Sequence, residues 1–411
     1  MVPTFGGIEL LDDESRVASG AAFNLDRASR GDGSIAVGGL RYEVRRNGRV
    51  VVARGGNDSS YEGALYSALE HVQEALDLWS FDGVDDLAIT RVDEEHVAWW
   101  PTAAGLTVRV VSIVPVGIRI RGQLTVTDSS GNAIEPEPRA ALAWHPSFRY
   151  FRLSQASTDL FDAYRNAYLA LESLLSSIAR QKLRRNGDDQ DERDTAWFRR
   201  ALGTAGGLSS LSDFAPHGTD DPVESILQDL YAGTRSATFH AKAGRAVLLP
   251  RDADSRATVV SSLDRLVRLY LSLAEAHLGA RRPRSGLSAD GFRALSSAIL
   301  SDLVIWASDD ESPSDPADVT VNPGGSEAVQ LLAAEAADAR VPFLTTKLAA
   351  GTAADLRSLP FVRRLAGASP DGTLMLTNVL EERLVLGSAA RLEVVFGERK
   401  RNEGPRVDYP T

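Results

Sequence analysis

At 411 residues the chain is longer than one ordinary core holds, and about two to four domains are expected at the usual ~100–200 residues each. Its hydrophobic fraction of 43% and charged fraction of 25% match globular averages, with no uncharged apolar run of the ~18 residues that a membrane span needs, while the absence of cysteine excludes disulfides, thiolate zinc sites, iron–sulfur clusters and thiol nucleophiles. A net charge of −11 argues against a protein that coats nucleic acid non-specifically, although a local basic groove stays open.

Residues 1–150 read as a strand-rich α+β domain. The start, MVPTFGGIELLDDESR, has neither a basic segment nor an apolar stretch of signal-peptide length, so a cytoplasmic location is expected. RYEVRRNGRVVVA carries two β-rich runs around Asn47-Gly48, a hairpin signal because both turn positions favour φ > 0. Ser59 and Glu62 fit a capping box, after which Leu65, Leu69, Val72, Leu76 and Trp79 recur at helical spacing. Further strands are expected at 96–100, 106–127 and 140–144.

From Ser154 the apolar period changes from two to 3.6, which predicts an all-α domain over 152–280. Leu160, Phe161, Tyr164, Tyr168, Leu171, Leu175 and Ile178 line the first helix; the basic run from Arg180 to Arg185 is read as its cation-rich end. A polar insert, GDDQDERD, follows, and its paired acids Asp188-Asp189 are expected to be solvated. A second long helix starts with Asp221 as N-cap and Pro222 at the first helical position, buries Ile226, Leu227, Leu230, Tyr231 and Thr234, and is expected to end at Gly244. A third covers 256–278 and stops at Gly279. The pattern is an up-and-down bundle.

Residues 287–411 read as a mixed α/β domain: an amphipathic segment GFRALSSAILSDLVIWA, an acidic stretch with Asp309-Asp310 taken as solvated, a helix over 326–340, and strand-like runs TLMLTNVL, ERLVLG and RLEVVFG. The expected fold class is therefore α+β multidomain, with a central all-α bundle flanked by strand-rich α+β domains.

Signatures for a P-loop, a dinucleotide fold, a nucleophile elbow and a zincin are missing, and the six histidines are dispersed, so no metal or cofactor is expected. One histidine has distinctive company: Arg235-Ser-Ala-Thr-Phe-His240 sits toward the end of the second long helix. This resembles the Arg-x4–6-His motif of the HEPN superfamily. The resemblance extends over 152–280, about a third of the chain, through YRNAYLALESLL, a Trp-containing connector, LYAGTRSATFHAKAGR, RAVLLP and a closing helix. The FHAKAGR extension is similar to Apea-like and methylamine-utilisation-type HEPN-like sequences; Ser236 stands where the family more often has Asn, Asp or His.

The resemblance implies a metal-independent endoribonuclease with Arg235 and His240 as catalytic residues, a homodimer with a composite site, a toxin or antiviral-defence role, RNA or a nucleotide as ligand and a regulatory protein partner. Residue chemistry agrees. Arg235 offers a planar fork to a phosphoryl group, and His240, near a helix C-terminus, is suited to proton exchange while the 2′-OH attacks the adjacent phosphate. At ~100° per residue the two lie about 140° apart on a regular helix, so convergence needs an irregular helix end or a second copy. Arg165, Glu172, Ser236, Lys242 and Arg245 are the candidate substrate-binding residues; Arg165 and Glu172, seven apart, share a face, either as an internal ion pair or with Glu172 orienting the motif. The alternative is a non-catalytic RNA- or nucleotide-binding, dimerising scaffold.

Overall fold

The computed structural model describes residues 1–11, 18–116, 129–130, 142–157, 159–216, 218–239, 248–249, 252–280, 289–333 and 344–400. Along the chain come β1 (Thr4–Phe5), β2 (Ile8–Glu9), β3 (Ser19–Asn24), β4 (Gly33–Val37), β5 (Leu40–Val44), β6 (Val50–Gly56), α1 (Tyr61–Phe81), β7 (Glu95–Thr102) and β8 (Gly105–Val116). The helical elements follow: α2 (Pro146–Ala156), α3 (Leu160–Ile178), α4 (Asp194–Ala205), α5 (Pro222–Ile226), a π-helical stretch (Leu227–Arg235), α6 (Ser236–Phe239) and α7 (Ala253–Leu278). The last group is α8 (Ala289–Asp302), β9 (Val304–Ser308), β10 (Ala328–Ala333), β11 (Leu344–Thr352), β12 (Val362–Ala368), β13 (Leu374–Val385) and β14 (Arg391–Lys400). Two compact units result, a sheet unit from residues 1–117 with 287–403 and a helical unit from 118–286.

This overturns the expected fold class. The principal element is a 14-stranded mixed sheet among the described residues, ordered β2-β1-β13-β12-β9-β10-β11-β14-β8-β7-β3-β6-β5-β4, and not a central all-helical bundle with separate strand-rich flanks. The physical reason is long-range pairing that no local pattern reveals, β1 with β13 and, over a longer register, β8 with β14. β8 and β14 run parallel in register from Thr107↔Arg391 to Val116↔Lys400, and a parallel pair needs a crossover, which the intervening chain supplies.

Within the sheet unit the strands roll back on themselves. Val97, Trp99, Val108, Val110, Val394 and Phe396 share one buried cluster with Ile305, Ala307, Leu365, Leu380 and Leu384. A polar clasp closes the roll: Glu95 of β7, buried, accepts from Asn378 Nδ2 at 2.9 Å and from the Glu381 backbone N–H at 3.1 Å, both on β13. The other face of β3, β5 and β6 is covered by α1 through Leu65, Leu69, Val72, Leu76 and Trp79, the residues its spacing marks. Its cap is Ser60, whose side chain accepts from the Gly63 N–H at 3.1 Å, rather than Ser59. The Asn47-Gly48 hairpin joins β5 and β6, with Asn47 at φ 64°. His96 is buried and neutral: burial depresses its pKa to about 4, its Nδ1 lies 2.6 Å from the Val92 carbonyl, and Nε2 therefore accepts from the Tyr61 hydroxyl at 2.7 Å.

Two other readings of the C-terminal third are corrected and one is refined. The predicted helix over 326–340 contains β10, which pairs with β9 and β11: an Ala/Leu-rich segment is held extended by tertiary pairing against its own propensity. GFRALSSAILSDLVIWA is a helix and a strand, because α8 stops at Asp302 and Lys347 Nζ takes the orphan carbonyls of Leu300 (3.1 Å), Ser301 (2.9 Å) and Leu303 (2.7 Å). Asp310 is not a solvated charge; it is buried and accepts the Ser312 N–H at 2.7 Å and the Gly324 N–H, organising the acidic loop.

In the helical unit α3 buries Tyr164, Tyr168, Leu171 and Leu175, the face its period marks. It ends at Ile178, short of the basic run, so Arg180 and Lys182 lie in a loop where Asp188 accepts from the Leu183 N–H (2.8 Å) and pairs with Arg180 (3.2 Å). α5 starts as its sequence indicates, with the Asp221 side chain accepting from the Glu224 N–H and Pro222 in first position. α7 is closed by Gly279 at φ 65°. The expected cap at Gly244 and the expected strand residues at 117–127 lie outside the described residues. Among the described residues no helix is long and apolar enough to cross a membrane.

Candidate functional site

The motif helix is irregular where Arg235 sits. Between α5 and α6 the backbone widens into the π-helical stretch, inside which the Leu230 carbonyl accepts from the Tyr164 hydroxyl of α3 at 3.1 Å. Thr234 and Thr238 face inward; their hydroxyls bond Ser262 Oγ at 2.9 Å and the Thr234 carbonyl at 2.9 Å.

Arg235 is the last residue of that stretch and is half-buried. Its guanidinium carbon lies 4.9 Å from the centroid of the Tyr231 ring, 5.5 Å from that of Phe239 and 5.6 Å from that of Tyr168. Tyr231 and Phe239 are four residues to either side, so they flank Arg235 on one helical face. Tyr168 comes from α3 and is itself stacked on Phe198 at 5.9 Å. These rings hold the fork by cation–π attraction. Arg235 Nε is buried with no hydrogen-bond partner, and no described residue accepts from the guanidinium.

Glu172 is the neighbouring acid, one turn beyond Tyr168 on α3. Burial raises its pKa above the ordinary carboxylate range, Arg235 opposes that rise and Asp194 adds to it. It forms no ion pair with Arg165. Arg165 instead pairs with Asp162 at 2.9 Å and donates to the Thr238 carbonyl at 3.0 Å, so its donors staple α3 to the end of α6. Ser236 is half-buried at the start of α6. The structure thus brings together Arg235, Glu172 and an aromatic wall, with Arg165 and Ser236 nearby in chain and fold. His240, Lys242 and Arg245 lie outside the described residues.

Sequence reasoning assigned Tyr168 and Tyr231 to the core and did not connect them, or Phe239, with Arg235. The spacing Tyr231, Arg235, Phe239 was a readable signal for two of the walls; Tyr168, from another helix, had none. Chemically, a guanidinium flanked by rings, with no acceptor among the described residues, can take up an oxyanion. Among the described residues no three His or carboxylate side chains converge as ligands for a cation.

Compared with models of protein families, with curated proteins and with solved structures, this chain has no match. The HEPN resemblance therefore rests on the residues quoted for it.

Proposed function

We propose that the helical unit binds RNA through Arg235 and cleaves it by attack of the 2′-OH on the adjacent phosphate, with His240 moving the protons and Arg235 steadying the charge that builds on phosphorus. The observation that carries this reading is the guanidinium itself, flanked by three rings while it meets no hydrogen-bond acceptor among the described residues. A two-fold homodimer that joins two motif helices, a cytoplasmic location, a toxin or antiviral-defence role and a regulatory protein partner belong to the same proposal.

The test uses the full chain with single-stranded RNA in excess EDTA, beside His240→Ala and Arg235→Lys. Cleavage by the parent leaving 2′,3′-cyclic phosphate ends, lost in His240→Ala and reduced by about a hundredfold in Arg235→Lys, is the expected result. Light scattering on the same samples is expected to give twice the chain mass.

A second reading is favoured by the same rings: three aromatic walls also describe a structural pillar, in which Arg235 does nothing but pack. Then the parent leaves RNA intact, and Arg235→Lys lowers the melting temperature because Lys lacks the planar stacking surface. That pair of results would overturn the nuclease proposal.

A further inference from the structure

Far from Arg235 in sequence, the sheet unit holds a cavity of about 260 Å³ between two loops, 353–361 after β11 and 386–390 after β13. Leu356, Leu359, Leu386 and Leu392 line it, and two arginines, Arg357 and Arg391, reach its edge. We infer that this cavity binds a small organic anion, a monocarboxylate whose apolar body is of medium-chain or single-ring size.

Charge decides the sign of the ligand. Arg391 Nε donates to Glu393 Oε1 at 3.0 Å, and the other oxygen of that carboxylate is held by Arg109 on the adjacent strand at 2.6 Å. One carboxylate is thus shared by two guanidinium groups, and Arg391 is oriented while its terminal nitrogens have no partner among the described residues. Arg357 adds a second cation, which gives no hydrogen bond to a described residue. The nearest loop acid is already committed, since Asp355 accepts from the Thr352 N–H at 2.8 Å and the Thr352 hydroxyl at 2.7 Å. A forked, pre-oriented guanidinium suits a carboxylate headgroup.

Size and lining decide the body. A protein cavity of about 150 Å³ lined by aliphatic side chains accepts benzene, so this one admits a ring with a short chain or a folded aliphatic chain. Apolar burial supplies affinity and the arginines supply orientation, the usual division of labour in small-molecule sites. A neutral alcohol of equal length would gain only the first term.

The test is calorimetric titration of the full chain with octanoate, octanol and octyltrimethylammonium, repeated on the Arg357→Gln/Arg391→Gln double variant and on Leu386→Trp, which fills the cavity. Octanoate is expected to bind at least about tenfold more tightly than octanol, the cation not at all, and the double variant to erase the octanoate advantage. Leu386→Trp is expected to abolish binding of both. Equal affinities for octanoate and octanol, an advantage that survives in the double variant, or no binding at millimolar octanoate would each overturn the inference. Both arginines lie at the edge of the cavity, so the double variant keeps the test decisive even if Leu386→Trp fails to fold.

Discussion

Two arginines, one in each unit, meet burial in different ways. Arg364 of β12 has no solvent exposure, and its terminal nitrogens go to Thr377 Oγ1 (3.1 Å), the Ser312 carbonyl (2.5 Å) and Asp318 (3.4 Å). Arg235 is half-buried, is walled by rings and gives no hydrogen bond to a described residue. The first ties the acidic loop that follows β9 to the sheet through both terminal nitrogens, and only its Nε is left without a partner. The second is positioned without being consumed. A buried charge whose partners are internal holds a fold together; one that is oriented by packing alone keeps its hydrogen bonds for something else.

The largest effect should come from breaking this contrast at its structural end. Arg364→Ala leaves Asp318 and the Ser312 carbonyl without their partner and is expected to cost about 3–5 kcal/mol, as breaking a buried pair does. Arg235→Ala forfeits only ring contacts and stem packing, about 1–2 kcal/mol. Urea unfolding, with hydrogen exchange assigning the loss to each unit, measures both. Similar losses would mean that Arg235 is architecture too.

A smaller effect comes from a partnered acid in the same unit as Arg235. Glu192 accepts from Arg200 (2.7 Å) and from the Lys182 N–H (3.1 Å), and the Arg200 bond leads in holding its pKa down to about 2, below the ordinary 4.5. A depressed carboxylate stabilises fully above its unfolded value and loses that contribution as pH falls from about 4.5 toward about 2. Glu192→Gln is therefore expected to be less stable than the parent by about 1–2 kcal/mol at neutral pH, with the gap closing below pH 4.5. Parallel stability curves across that window would show that this loop contact contributes nothing.

Local pattern made the helices legible and left the sheet mostly hidden. The faces of α1 and α3, the Asp221–Pro222 start of α5 and the Gly279 stop of α7 were readable because capping and the 3.6 period are short-range. The β8–β14 pair joins strands separated by most of the chain, and β10 is an Ala/Leu run with no strand signal of its own; only tertiary pairing makes it extended. At the candidate site the motif only drew attention to Arg235, and the spacing that sets Tyr231 and Phe239 beside it went unread. Tyr168 and Glu172 join it through the packing of α3, which no one-dimensional pattern reports. Asp310 was misread for the same reason, since a pair of acids in a Pro-rich loop gives no hint of the backbone N–H groups that the fold brings to it.

The smallest expected effect is at Glu172, and it separates a ligand-binding Arg235 from a packed one most finely. Burial leads in raising this carboxyl's pKa, so its ionised form is disfavoured in the folded state. With the folded pKa above the unfolded one, stability is greatest below the unfolded value and declines as pH rises through the folded value, which leaves a small penalty at neutral pH. Glu172→Gln removes the ionisation and is expected to stabilise the protein by less than about 1 kcal/mol at neutral pH, the gain vanishing in acid. If Arg235 takes up phosphate, the same substitution removes a competing negative charge beside the guanidinium. RNA affinity should then rise, and rise more at low salt, where the repulsion is least screened. A stability gain with no change in RNA affinity at any ionic strength would show that no phosphate approaches Glu172, and would leave Arg235 with packing as its only role.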